Sequence, residues 1–310
     1  MNSVAIGVDI GGSHICSAAV DLTTHNIISG TRNELKINNK ADAGEILEGW
    51  SKAIEGTISL IDRNNLSGIG FAMPGPFDYP NGIALFKRVE KYESLYGVNI
   101  SEQLRLRLKL GENVPFRYIN DATAFAIAEA WIGKAGNYSR VIALTLGTGF
   151  GSAFIHNGIP VILGETVPEM GCVWHIPFKN GIANDYFSTP WFTRKYFEKT
   201  GVKVSGVKEI AESAGNDEFA FSLFKEYGSD MGDFLAPWIE KFDAGVIVIG
   251  GNITGAFPFF GNYLRDKIER TNPRTEILLS DLGENAAIVG GVRLLDEIYW
   301  KEVKDLLPLM

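Results

Sequence analysis

The chain has 310 residues, 45% apolar and 21% charged, which suits a globular protein with room for two cores. Its 37 acidic and 29 basic residues leave a net charge of -8, which argues against nucleic acid or an anionic membrane as the main partner. Two cysteines, Cys16 and Cys172, cannot build a disulfide framework, and no apolar run approaches the roughly 20 residues of a membrane span. No basic segment followed by an apolar stretch opens the chain, so a cytoplasmic location is expected.

In chain order, Val4, Ile6, Val8 and Ile10 alternate with smaller residues, which predicts a strand carrying Asp9 near its end. Gly11-Gly12 is a tight turn, Ile15 to Val20 reads as the returning strand, and Ile27-Ile28 suggests a third. Apolar residues from Ile46 to Ile61 recur at helical spacing. "LSGIGFAMPGP" predicts a buried strand stopped by Pro74-Gly75-Pro76. A helix over 101–110 and the short strand "PFRYIND" follow. "DATAFAIAEAWIG" is a small-residue helix with Asp121 at its start, a favourable capping choice.

The opening layout then returns. "RVIALTLGTGFGSAFIHNGIPVI" reads as strand, glycine-rich turn, strand, Asn157-Gly158 turn, strand. Residues 165–190 read as irregular, and Gly206 to Phe242 as mostly helical. "AGVIVIGGNITGAF" is a buried strand ending in Gly250-Gly251, and "AAIVGGVRLLDEIYW" a final helix. The repeated layout predicts two similar α/β domains, each presenting a glycine turn to a cleft between them.

Glycine lets backbone N–H groups approach a phosphate, and a bend of such groups makes an anion-binding nest. The bends lack the P-loop spacing and its lysine, and "GTGFG" leads into a strand rather than a helix, so neither a Walker site nor a dinucleotide fingerprint is present. Phosphoryl transfer from ATP would account for the acids, since it needs phosphate cradles, an acid near magnesium and a base for the incoming hydroxyl. Asp9 at a strand end suits the metal, through water. Asp121, after Asn120 at a strand-to-helix junction, suits the base, and the same position also suits a plain helix cap.

The segments "IGVDIGGSH", "FAMPGP", "INDATAFAIAEAWIG", "TLGTGFGSAFIHNGIPV", "GETVPEMG" and "IVIGGNI" occur in the order seen in the ROK family of repressors, open reading frames and kinases. The resemblance runs from about Val4 to Leu295. It implies two actin-like ATPase (ribonuclease H-like) domains with an interdomain active-site cleft. The expected boundaries are 1–118 with 293–310, and 119–292. It also implies ATP and Mg2+ as cofactors, with closure of the domains over sugar and ATP. By the resemblance, Asp9 lies near magnesium, and Gly11, Gly12, Ser13, Gly147, Thr148 and Gly149 lie at phosphates. Gly250, Gly251 and Asn252 resemble the adenosine-side motif. Asp121 resembles the base that deprotonates the sugar hydroxyl. Pro74, Gly75, Asn120, Glu169 and Asn184 fall at sugar-side positions.

The chain departs from the family in "EMGCVWHIPFKNGIANDYFS". Many relatives have a histidine where Cys172 stands, followed by a zinc-binding cysteine loop. That loop is missing, so no structural zinc is expected. Cys172 with His175 is expected to be a thiol beside an imidazole, and His14, His25 and His156 surface or turn residues. Asn184 stands where sugar kinases of the family often keep a glutamate, and "YESLYG" replaces the usual Asn-Leu near residue 100.

The expectation is therefore a glucokinase-like enzyme phosphorylating a hexose or N-acetylhexosamine hydroxyl, the 6-OH, as a homodimer or homotetramer. The alternatives are a sugar-binding ROK regulator without catalysis and an actin-like ATPase acting on protein partners. No DNA-binding segment is expected before Val4.

Overall fold

The computed structural model describes residues 3–310. By contacts between residues it divides into two compact units, 1–128 with 284–310, and 129–283. The sequence reading cut the chain at 118/119 and 292/293. The helix at 285–293, counted with the first unit, packs on strands of the first sheet.

The first unit begins with β1 (Val4–Ile10) and β2 (His14–Asp21), paired antiparallel with Asp9 opposite Cys16. The third strand, β3, is Asn33–Lys36. The Ile27-Ile28 expectation fails: Ile27 makes one isolated bridge to Val20, and the polar "NELK" forms the sheet edge instead. An edge strand facing water on both sides has no apolar alternation to reveal it.

Helix α1 (Ala43–Ile58) follows, its N-terminus capped by Asp42, which accepts the Glu45 N–H at 2.9 Å. Next come β4 (Leu66–Met73), the small ribbon β5 (Phe77–Asp78) with β6 (Ile83–Ala84), α2 (Ile100–Leu108), β7 (Phe116–Asn120) and α3 (Asp121–Trp131). The first sheet has the order β3-β2-β1-β4-β7, with β1, β4 and β7 parallel.

The second unit repeats the plan. Its strands are β8 (Arg140–Leu146), β9 (Phe150–His156) and β10 (Ile159–Pro160), then the small ribbon β11 (Pro177–Phe178) with β12 (Gly181–Ile182). A helical stretch holds α4 (Ala183–Tyr186), α5 (Thr189–Thr200), α6 (Val207–Ser213) and α7 (Glu218–Phe242). β13 (Val246–Gly250), α8 (Phe257–Thr271) and β14 (Glu276–Leu279) complete it. The second sheet runs β10-β9-β8-β13-β14, with β8, β13 and β14 parallel. Its position-by-position match to the first sheet realises the repeat.

The chain then returns to the first unit. The expected single final helix is two, α9 (Asn285–Arg293) and α10 (Glu297–Val303), because Asp296 caps a fresh start by accepting the N–H groups of Ile298 and Tyr299. α9 lies directly on β1 and β4. A Cβ at Gly7 would stand 2.3 Å from the Ile288 carbonyl oxygen, and one at Gly70 would stand 2.0 Å from that of Gly291. Backbone touches backbone there, which only glycine permits. In the second unit, a large cluster from β8, β9, β13 and α5–α8 forms the core, with Trp191, Phe187, Phe192, Phe224 and Tyr227 fully buried.

Candidate active site

In an open α/β sheet, ligands bind beyond the carboxyl ends of the parallel strands. The register of the first sheet brings three such ends together: Asp9 pairs beside Ala72, and Met73 beside Asn120. Asp9, the Gly11-Gly12-Ser13 bend, Pro74-Gly75 and Asn120-Asp121 therefore share one sheet edge. In the second sheet Thr145 pairs beside Gly250, which brings the Gly147–Gly149 bend next to Gly250-Gly251-Asn252.

Each of the first two bends leaves consecutive N–H groups free while neighbouring groups are tied back. In the first, Tyr92 Oη donates to the Gly11 carbonyl at 2.6 Å, Asn39 Nδ2 to that of Gly12, and Ile37 N–H to that of Ser13 at 2.8 Å. Among the described residues no acceptor meets the N–H of Gly12 or Ser13. In the second, the Gly147 N–H donates to the Gly149 carbonyl at 3.0 Å, and the Gly147 carbonyl accepts from Thr189 N–H at 2.8 Å. The N–H groups of Thr148 and Gly149 likewise have no protein acceptor among the described residues. Two adjacent exposed donors of this kind form an anion nest. At the third bend Gly251 has φ +90°, and a Cβ there would lie 2.3 Å from the Leu146 carbonyl oxygen, so the bend sits against the end of β8.

Asp121 does not cap α3. Asn120 does, its Oδ1 accepting the Thr123 N–H at 3.2 Å. Asn120 Nδ2 also donates to Asp121 Oδ1 at 3.0 Å, and the Ala122 N–H donates to the same oxygen at 2.9 Å. Oδ2 of Asp121 is left without a protein partner among the described residues. Tyr79, buried beside Asn120, donates its hydroxyl to the Met73 carbonyl at 3.1 Å and accepts from Asn120 Nδ2 at 3.4 Å. The Asn120 amide is thus fully engaged in holding Asp121, the cap and Tyr79.

Asp9 is an acid under tension. Burial pushes its pKa up to about 7, the Asp121 and Glu284 carboxylates add to that, and Arg32 opposes it. Arg32 in turn is bridged to Glu284 at 2.6 Å and bonded to Asn285 at 2.9 Å. His14 packs over the first bend: a Cβ at Gly11 would be 2.6 Å from its ring.

The altered segment is ordered by backbone contacts. Gly171 has φ +59° against the Val161 carbonyl, and the Val173 N–H donates to Ser152 Oγ at 2.8 Å. Glu169 is exposed in this turn. Cys172 Sγ lies 3.8 Å from His175 Nδ1, and burial pushes the thiol up to about 11, so it stays neutral. No group of three or more His, Cys, Asp or Glu among the described residues is placed to hold a metal ion by itself. Asn184 has its Oδ1 engaged by the Phe150 N–H at 3.0 Å, so it braces the second nest from outside. Beside the third bend, α6 and residues 252–259 line a cavity of about 570 Å³ with Lys208, Ala211, Glu212, Asn252 and Phe259 on its wall.

The family model described as "ROK family" matches residues 5–298. The chain belongs to the ROK family. Its fold is the actin-like ATPase fold of ROK proteins. The glucokinase of Thermotoga maritima is 26% identical over 322 residues, covering 94% of this chain and 97% of that protein. A ROK family glucokinase from Streptomyces griseus, solved with glucose and AMPPNP, superposes with a TM-score of 0.71 at 23% identity over 94% of this chain and 98% of that one. A ROK family transcriptional regulator, a homologue of the E. coli MLC protein, superposes at 0.79 with 15% identity, covering 99% of this chain and 81% of that one. No helix among the described residues is long and apolar enough to cross a membrane.

Sequence reasoning missed Tyr79, Tyr92, Asn39 and Thr189. All four act by hydrogen bonds to or beside the site from elsewhere in their units, a role with no local sequence signal.

Proposed function

We propose that this protein is an ATP-dependent sugar kinase that phosphorylates a hydroxyl of a hexose or N-acetylhexosamine, the 6-OH, with Asp121 as general base. The observation that carries the reading is the Asp121 carboxylate. One oxygen is fixed by Asn120 and the Ala122 N–H, and the other is free to accept a proton. A base held in this way removes the proton of the attacking hydroxyl as its oxygen bonds to the γ-phosphorus. The two nests would take phosphate oxygens, the first through Gly12 and Ser13 and the second through Thr148 and Gly149. The cavity at Asn252 and Phe259 has the size and apolar wall of a nucleoside site.

Magnesium fits the acids present. It keeps most of its waters and takes one or two carboxylates plus phosphate oxygens. Asp9, raised first by burial and then by its neighbour Asp121, is a carboxylate that a cation would stabilise in its charged form. Asp9 would hold the ion, through water, and the ion would neutralise charge on the phosphates.

The relatives named above support this reading through a glucokinase similar along nearly the whole chain. A second reading, a sugar-binding regulator, draws on the likeness of the fold to a ROK family transcriptional regulator along 99% of this chain. Coupled ADP release with Mg-ATP across hexoses and N-acetylhexosamines separates the two. Turnover that needs one sugar and falls in Asp121→Asn supports the kinase. Sugar binding without turnover supports the regulator, and ATP turnover indifferent to sugars sinks both.

A further inference from the structure

The first nest is open because of what holds its carbonyls. A trans peptide is planar, with its C=O and the following N–H pointing in opposite directions. Tying the Gly11 carbonyl inward therefore turns the Gly12 N–H outward, and tying the Gly12 carbonyl does the same for Ser13. The two ties come from side chains 81 and 27 residues away, Tyr92 and Asn39. They are also joined to each other, since the Tyr92 N–H donates to the Asn39 carbonyl at 2.7 Å. Two segments far apart in sequence, joined by that bond into a strap, thus grip two successive peptides of the bend.

Tyr92 is held firmly for this task. Its side chain is fully buried, with Trp50 edge-on at 5.2 Å and Phe86 at 5.7 Å between ring centres. Its backbone is left-handed, φ 58° and ψ 19°, a conformation that costs a non-glycine residue on the order of 1 kcal/mol and persists only where the surroundings impose it. Burial pushes its pKa up from the ordinary phenol value, so the hydroxyl keeps its proton and remains a donor. Without the two ties the hairpin still closes through the Gly11 N–H to the His14 carbonyl and the Ile37 N–H to the Ser13 carbonyl, but the Gly11 and Gly12 carbonyls lose their partners, and glycine permits other orientations of those peptides.

We infer that Tyr92 and Asn39 are positioning residues that preorganise the first glycine bend for a polyphosphate anion. The inference rests on the kinase reading only for the identity of that anion as the phosphates of ATP. Loosened, the bend would have to be ordered by each incoming anion, and affinity for phosphate would fall while the nucleoside contacts stayed unchanged.

The test compares wild type, Tyr92→Phe and Asn39→Ala for binding of magnesium pyrophosphate, magnesium imido-ATP and adenosine, with steady-state kinetics alongside. Tyr92→Phe removes one oxygen and keeps the ring among Trp50 and Phe86. Loss of one such hydrogen bond should weaken pyrophosphate and imido-ATP about 3–10-fold. Adenosine affinity should hold, and KM for ATP should rise while KM for the sugar stays put. A merely structural role would instead lower Tm and weaken adenosine and imido-ATP together, which overturns the inference. So does unchanged imido-ATP affinity in both variants. Wild type that binds neither pyrophosphate nor imido-ATP overturns it too. Wild type that binds both but shows no sugar-dependent turnover overturns the kinase reading, and the loss of pyrophosphate binding in Tyr92→Phe then still supports the strap.

Discussion

Asn120 donates its amide to Asp121 Oδ1 at 3.0 Å while its own carbonyl oxygen caps the helix that Asp121 begins. One side chain thus anchors α3 and orients the acid at its head. Asn120→Ala should lower Tm modestly, by about 1 kcal/mol of lost cap. It should lower kcat about tenfold through a looser carboxylate, an effect worth about 1.4 kcal/mol of barrier. Asp121→Asn keeps an acceptor for the Ala122 N–H, so it should fold normally and lose about 10²–10⁴ in kcat. Near-normal turnover in Asp121→Asn would remove the base from the mechanism.

Asp9 should make stability depend on pH. Its folded pKa is raised from 3.8 to about 7, first by burial and then by Asp121 and Glu284. The folded state therefore binds this proton more tightly than the unfolded chain. The stability it contributes is complete below about 3.8 and is lost as pH rises through about 7, a change of about 4 kcal/mol as a ceiling. Asp9→Asn lacks this loss, so its Tm should exceed that of wild type by a margin that widens from pH 5 to pH 8. Magnesium at pH 8 should raise the wild-type Tm and narrow the margin. A margin constant across that range would show that Asp9 titrates normally.

The second nest depends on the segment that departs from the family. Asn184 accepts the Phe150 N–H at 3.0 Å, and Thr189 N–H donates to Gly147. Asn184→Ala should raise KM for ATP about 3–10-fold, the worth of one such bond. Asn184→Asp keeps the acceptor but adds a negative charge beside the nest, so it should weaken ATP more than the alanine does, and less so at high salt. If only the sugar KM moves in both variants, Asn184 belongs to the sugar and not to the bend.

Two glycines should respond oppositely to the same change. A Cβ at Gly290 would stand 1.8 Å from the Ala124 carbonyl oxygen, where α9 meets α3. Gly290→Ala must push two helices apart, and should cost about 1–3 kcal/mol or more in thermal or denaturant unfolding. A Cβ at Gly12 meets nothing within 4 Å, so Gly12→Ala should leave Tm almost unchanged, within about 0.5 kcal/mol. Equal losses in the two variants would mean that the close contact of α9 with α3 does not limit stability.

The sequence by itself determined the parts whose cause is local. Asp9 and Asp121 stood out because each is an acid at the end of an apolar strand. The glycine bends stood out because nothing else follows a buried strand so abruptly, and their repeated order foretold two sheets of one topology. Local pattern failed where burial is one-sided or absent. The edge strand Asn33–Lys36 is polar but for the exposed Leu35, and β14 and α8 drew no expectation. Only the tertiary structure decided how the site is held. It gave the cap of α3 to Asn120 and set Asn184 against Phe150. It also brought Tyr92 and Asn39 behind the first bend. Each of these is a hydrogen bond between residues that folding makes neighbours, or a choice between two adjacent side chains for one N–H. Such bonds need a donor and an acceptor within about 3 Å but no particular spacing along the chain, so no periodicity in the sequence could announce them.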